Sequence, residues 1–180
     1  MDHQNLKNFR LPKNYRGKPA LIIILWNLVS LLFFKLSPQF FYNWRNFLLR
    51  IFGAKIGKNV MIRPSVEVVY PWNLIVCDNS WVGDNVVIYN HDLIEVGSNS
   101  VISQKSYLCT ASHHYNSDTF SIYKKPITIG NKVWIATDVF INPGVSVCDN
   151  VVVAARSTVT KSIMKPGVYI GSPVKFFKKR

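Results

Sequence analysis

The chain has 180 residues, 48% apolar, 13% aromatic and 17% charged, with 22 Lys and Arg against 9 Asp and Glu for a formal charge of +13. That apolar content excludes an intrinsically disordered chain, and a domain of this size buries roughly 70% of its unfolded surface without needing disulfides or a structural metal. Cys77, Cys109 and Cys148 share no CxxC spacing and, being odd in number, cannot all be paired within the chain, which fits a reducing, cytoplasmic compartment.

The basic excess belongs to the two ends. Residues 1–58 hold ten Lys and Arg against Asp2 alone, and Lys175, Lys178, Lys179 and Arg180 close the chain, whereas residues 59–174 hold eight of each sign. A DNA-binding domain carries positive charge on its reading element, so the neutral middle argues against nucleic acid as a partner.

Near the N-terminus, the uncharged run from Ala20 to Phe34, ALIIILWNLVSLLFF, predicts a helix over 20–36. It is shorter than the about 20 apolar residues that cross a bilayer core, and no small-residue cleavage site follows it. After Pro38, the spacing of Phe40, Phe41, Trp44, Phe47, Leu48, Ile51 and Phe52 predicts a second helix over 38–52, stopped at Gly53. Two destinations stay open for this basic, aromatic pair. It packs on the main domain or a neighbouring subunit, or it makes a peripheral contact with an anionic membrane surface.

From residue 56 the period changes to six. Ile129, Ile135, Ile141, Val147, Val153 and Val159 are aliphatic without a break, and four residues after each stand Val133, Val139, Val145, Val151, Ser157 and Ile163. Neither a helix nor a strand places aliphatics on every sixth residue, whereas a β-helix of hexapeptides does. Three hexapeptides make one triangular coil, with the aliphatic residue pointing inwards. Lys58-Asn59, Asp78-Asn79, Asp84-Asn85, Ser98-Asn99, Asn131-Lys132 and Asp149-Asn150 supply turn chemistry at the corners. The slot after each aliphatic is small, as at Gly57, Gly83, Gly97 and Gly130, and all three cysteines fall in it, which marks them as fillers. The register breaks twice, around Asn90–Glu95 and from His113 to Thr128, and a solenoid interrupts its repeat to build loops on its binding face. The expected organisation is a helical segment over 1–54, a β-helix over 55–174 with a loop insertion at 113–128, and a basic tail over 175–180.

Ile-Gly-Lys-Asn-Val (56–60), Val-Gly-Asp-Asn-Val (82–86), Val-Trp-Ile-Ala-Thr-Asp-Val (133–139), Ile-Asn-Pro-Gly-Val (141–145), Thr-Val-Thr-Lys (158–161) and Gly-Ser-Pro-Val-Lys (171–175) together resemble the hexapeptide-repeat acyltransferases. Tyr15-Arg16-Gly17, Tyr70-Pro71-Trp72 and the stretch from Ile102 to Thr110 extend the resemblance, over nearly the whole chain, to the colanic acid biosynthesis acetyltransferases among them. The resemblance implies a left-handed parallel β-helix, a homotrimer with sites between adjacent prisms, and transfer of acetyl from acetyl-CoA to a hydroxyl of a sugar or glycan acceptor, with no metal. By the same resemblance His113, in Thr110-Ala-Ser-His, is the base and Asn90 helps hold the acceptor hydroxyl. Ala136 and Ala154 bond the pantetheine arm, with Trp134 beside it, and Thr160 and Lys161 lie near the nucleotide phosphates.

The chemistry suits those roles. An imidazole with an ordinary pKa near 6.5 can take the hydroxyl proton near neutral pH, and a fixed backbone N–H can stabilise the thioester oxygen as it gains charge. Rival readings are a Cys109/His113 nucleophile pair, a zinc-dependent β-helix carbonic anhydrase using His91, His113 and His114, and a non-catalytic β-helix scaffold that docks through its helices.

Overall fold

The structure, a computed structural model, describes residues 5–180, so Asp2 of the charge count lies outside it. Residues 55–171 wind into a triangular parallel β-helix whose three faces each stack one short strand per coil. Ile56, Val76, Val96, Ile129 and Val147 stack in the first face. Ile62, Val82, Ile102, Ile135 and Val153 stack in the second. Val68, Ile88, Leu108, Ile141 and Val159 stack in the third. All are buried, as are the fillers four residues after them except at the breaks, where Trp72, Asp92 and Ser112 are partly exposed, so the six-residue period is the core itself.

The corners follow from the turn pairs. Asn59, Asn79, Asn85, Asn99, Lys132 and Asn150, the second member of each pair, hold φ between 54° and 60°, a conformation that Asn tolerates. Asp78 accepts from the Lys58 amide at 2.7 Å, and Asp149 from the Asn131 amide at 2.7 Å, so the side chains stitch coil to coil. At Gly97 a Cβ would lie 2.6 Å from the Gly130 backbone, which explains why that slot has no side chain.

Three features depart from the expected organisation. A third register break lies between Val68 and Val76, where Pro71–Asn73 make a short helical turn. The chain beyond 174 is not a solvated tail, because Val174–Lys178 pairs antiparallel with Gly167–Gly171 and Arg180 reaches the Lys132 carbonyl. This hairpin covers the last coil of the second face. The first helix, α1 (Ala20–Val29), continues to Phe34 through a wider-wound turn in which Lys35 N bonds Ser30 O at 2.9 Å. The second, α2 (Tyr42–Ile51), starts four residues later than expected, after a turn at Pro38–Phe41.

The helices solve a specific problem. Each coil donates its amides to the carbonyls of the next, as Gly57 N does to Val76 O, so the first coil's own carbonyls have no donors above them. An open sheet end would be an aggregation edge. Here side chains of the helices supply the donors. Arg50 bonds Ile56 O and Gly57 O, Asn46 bonds Val60 O, Arg45 bonds Ile62 O and Trp26 bonds Val68 O, at 2.7–3.0 Å. Arg45 is fully buried without an acidic partner among the described residues and also donates to Ser37, Pro38 and Gln39 oxygens. The cap therefore packs on the prism through one face of each helix.

Candidate active site at the interrupted coil

Where the third face turns back to the first, the expected insertion leaves the prism as a hairpin. Ala111–His113 pairs antiparallel with Ile122–Lys124, His113 opposite Ile122. Thr110 anchors its base, since its buried hydroxyl bonds Tyr89 O at 2.9 Å and accepts from Asp92 N at 3.0 Å. Lys124 ties the other strand to the Tyr15 and His91 carbonyls at 3.2 and 3.1 Å. The hairpin is thus fixed to the prism on both strands.

His113 Nδ1 lies 2.8 Å from Phe120 O. A carbonyl only accepts, so that geometry assigns the ring proton to Nδ1 and leaves the Nε2 lone pair as the basic one. Phe120 holds φ at 49°, costly for an aromatic residue, and its ring stacks on the imidazole at 4.1 Å and 9°. Phe9 approaches the same imidazole at 5.9 Å, carried by an N-terminal arm whose Asn5 amide bonds Asp118 O at 2.7 Å. His113 lines an open cleft of about 540 Å³ with Ser112, His114, Tyr115, Asn116, Tyr123 and Lys125. An oriented imidazole facing such a cleft can accept a proton from a bound hydroxyl.

Asn90 is fully buried, accepts from Tyr70 N at 2.9 Å and donates to Tyr70 O and Asn73 O, so within one chain it holds the corner around the Pro71–Asn73 turn. His91 likewise packs between Tyr15, Tyr70 and Tyr89, with ring centroids 4.4–5.3 Å away. Burial, then Lys124 and Arg16, lower its pKa to about 4, so it is neutral at pH 7. Cys109 Sγ donates to Ala111 O at 3.1 Å, and burial pushes its thiol up, away from the thiolate a nucleophile needs. Among the described residues no three His, Cys, Asp or Glu side chains are grouped as metal ligands would be.

The remaining candidates divide between two edges of the prism. Thr160 and Lys161 are exposed at the turn from third face to first, the edge that carries the His113 hairpin two coils earlier. Trp134 stands on the second face, half-exposed, with its indole N–H on Ser103 Oγ at 2.9 Å. Ala136 and Ala154 lie at the next edge, between the second and third faces. Their amides are committed to the ladder, Ala136 N to Val153 O at 2.9 Å and Ala154 N to Tyr169 O at 2.8 Å, and the Ala136 carbonyl accepts from Ser106. One position on, the Thr137 and Ala155 amides, like those of Asp84 and Gln104 in earlier coils of this edge, have no partner among the described residues. One chain alone does not bring this edge to His113. Phe120, Phe9 and these two amides are the parts that residue type did not signal, because three act through backbone and one through a distant arm.

Comparison with known proteins places this geometry in context. Residues 126–161 match the family model described as bacterial transferase hexapeptide, six repeats. Over 177 residues, 98% of this chain and 97% of the relative, the sequence is 52% identical to WcaF of Escherichia coli (strain K12), named as an acetyltransferase of colanic acid biosynthesis. Among solved structures, a maltose O-acetyltransferase from Clostridium difficile 630 is similar with a TM-score of 0.82 at 26% identity, covering 92% of this chain and 95% of that one. A galactoside acetyltransferase in complex with coenzyme A is similar with a TM-score of 0.81 at 28% identity, covering 93% and 83%. The prism is therefore the left-handed parallel β-helix of these enzymes.

Proposed function

This chain belongs to the hexapeptide-repeat acetyltransferases, and we propose that it moves acetyl from acetyl-CoA to a sugar hydroxyl in exopolysaccharide or surface-glycan biosynthesis, with His113 as the general base. The observation that carries this reading is His113 itself. Its Nδ1 is held on Phe120 O, so its free Nε2 is positioned to take the acceptor proton as the oxygen attacks the thioester carbonyl. The hydroxyl oxygen forms the new ester bond, the carbon–sulfur bond breaks, and the proton taken by His113 passes to the departing CoA thiolate. The thioester oxygen gains charge in between, and a backbone amide is the donor that suits it.

The pantetheine arm fits the unpartnered amides of Thr137 and Ala155, beside Trp134, with Thr160 and Lys161 nearer the phosphates. Because the edge with Thr137 and Ala155 lies apart from His113 on one prism, the reading requires a second copy to complete each site, as in a homotrimer. Outward aromatic residues support such packing. Trp81 and Trp134 stand half-exposed on the second face, and Phe140 on the third stacks on Tyr107 at 5.4 Å.

The test is transfer of labelled acetyl from acetyl-CoA into glycan fractions by the wild type and by His113→Ala. The expected result is a loss of about 10²–10⁴-fold in rate with CoA binding and the circular dichroism spectrum unchanged. A variant that transfers acetyl at the parental rate would give the chemistry to another group.

A further inference from the structure

We infer that the outer face of the helical cap lies on an anionic lipid surface. The inner face of each helix is used up in capping the first coil, yet the outer faces are also apolar. On α1 and its continuation, Leu21, Ile24, Leu28 and Leu31 follow one helical stripe and are 74%, 64%, 52% and 59% exposed. On α2, Trp44, Phe47 and Ile51 make a second stripe opposite the buried Arg45, Asn46, Leu48 and Leu49, with Phe40 exposed in the turn before it. The two stripes are one surface, because the Trp44 indole N–H bonds Phe33 O at 2.9 Å. A helix apolar on both sides belongs in a core or in lipid, and a contiguous outward apolar patch marks an interaction surface.

Charge decides the occupant. From residue 5 to residue 66 there is no Asp or Glu, and exposed Arg16, Lys18 and Lys35 flank the two ends of the apolar stripe. A second copy apposed on this face by a two-fold axis would set those cations against their own equivalents, whereas an anionic headgroup layer complements them. Aromatic residues at the rim, Phe40, Phe41 and Trp44, suit the headgroup level. Residues 20–34 reach only about 22 Å as a helix, less than the roughly 30 Å of a bilayer core, so the cap lies in the interface and does not cross. No helix among the described residues is long and apolar enough to cross a membrane.

The test is co-sedimentation of the full chain with vesicles of phosphatidylglycerol and phosphatidylethanolamine, against vesicles of phosphatidylcholine alone, with the particle mass measured separately by light scattering. The wild type is expected to pellet with the anionic vesicles and to be released partly by high salt. The double variant Leu28→Glu with Leu31→Glu, both outward side chains, is expected to lose about tenfold or more in vesicle partition at unchanged mass. A second pair, Lys18→Glu with Lys35→Glu, leaves the apolar face intact and is expected to lose binding to anionic vesicles by a similar factor. Failure of the wild type to bind anionic vesicles overturns the inference. So does a fall in particle mass in either variant, which would give this face to a second copy of the chain.

Discussion

The imidazole of His113 owes its orientation to one carbonyl and one ring, both from Phe120, whose left-handed backbone turns them together onto the same side chain. Phe120→Gly relieves the φ strain but removes the stacking, and it is expected to lower the rate of acetyl transfer by about tenfold while leaving CoA affinity unchanged in a titration of both proteins. His91 shows the opposite use of histidine. Its folded pKa of about 4 lies below the ordinary 6.5, so between those values the unfolded chain binds more protons. The stability from this group is complete above about pH 6.5 and falls as the pH drops towards 4, by a few kcal/mol in all. Urea unfolding at pH 7 and pH 5 is expected to show that loss, and a flatter dependence in His91→Gln. The Thr-x-x-His motif made His113 legible in the sequence. The carbonyl that orients it was not legible, since a backbone acceptor carries no residue-type signature. The structural use of Asn90 was hidden for a related reason: a polar residue at a break can serve the break itself, as its three bonds to Tyr70 and Asn73 do.

At the scale of elements, the cap and the prism are bound by donors that reach a row of otherwise unpaired carbonyls. Replacing Arg45 with Met strands Ile62 O and Gln39 O together, which is expected to cost about 2–4 kcal/mol in a denaturant titration. Had Arg45 only filled space, the volume-matched Met would leave the midpoint unchanged. The coil corners are equally unforgiving. Gly97→Ala would push a methyl into the Gly130 backbone, and the expected loss is at least about 2 kcal/mol, read from the thermal midpoint. The repeat and these corners were legible because six-residue spacing and Asn-containing turn pairs are local signals. The Pro71–Asn73 turn escaped notice because Val68 and Val76 each look in register, and the break shows only when the faces are stacked. The Val174–Lys178 strand was hidden behind its lysines, whose outward side chains made an edge strand resemble a solvated tail.

For the whole molecule, the +13 resolves into a neutral prism, a basic helical cap at one end and a basic hairpin closing the other. The family and the prism were legible in one sequence, and the resemblance already implied sites between adjacent prisms; which edge carries each candidate residue was not legible, because it depends on how the faces stack in space. A site shared between copies makes a strict demand on mixtures of inactive chains. Ala155→Trp would block the pantetheine edge while sparing His113, and His113→Ala would do the reverse, so each alone is expected to be inactive. When equal amounts of the two variants are unfolded together and refolded, about one interface in four of a cyclic assembly pairs an intact His113 with an intact Ala155 edge. Acetyl transfer by the refolded mixture is the deciding measurement. Recovery to about a quarter of the wild-type rate is the predicted result; a mixture no more active than its separate components would contradict a site built between copies.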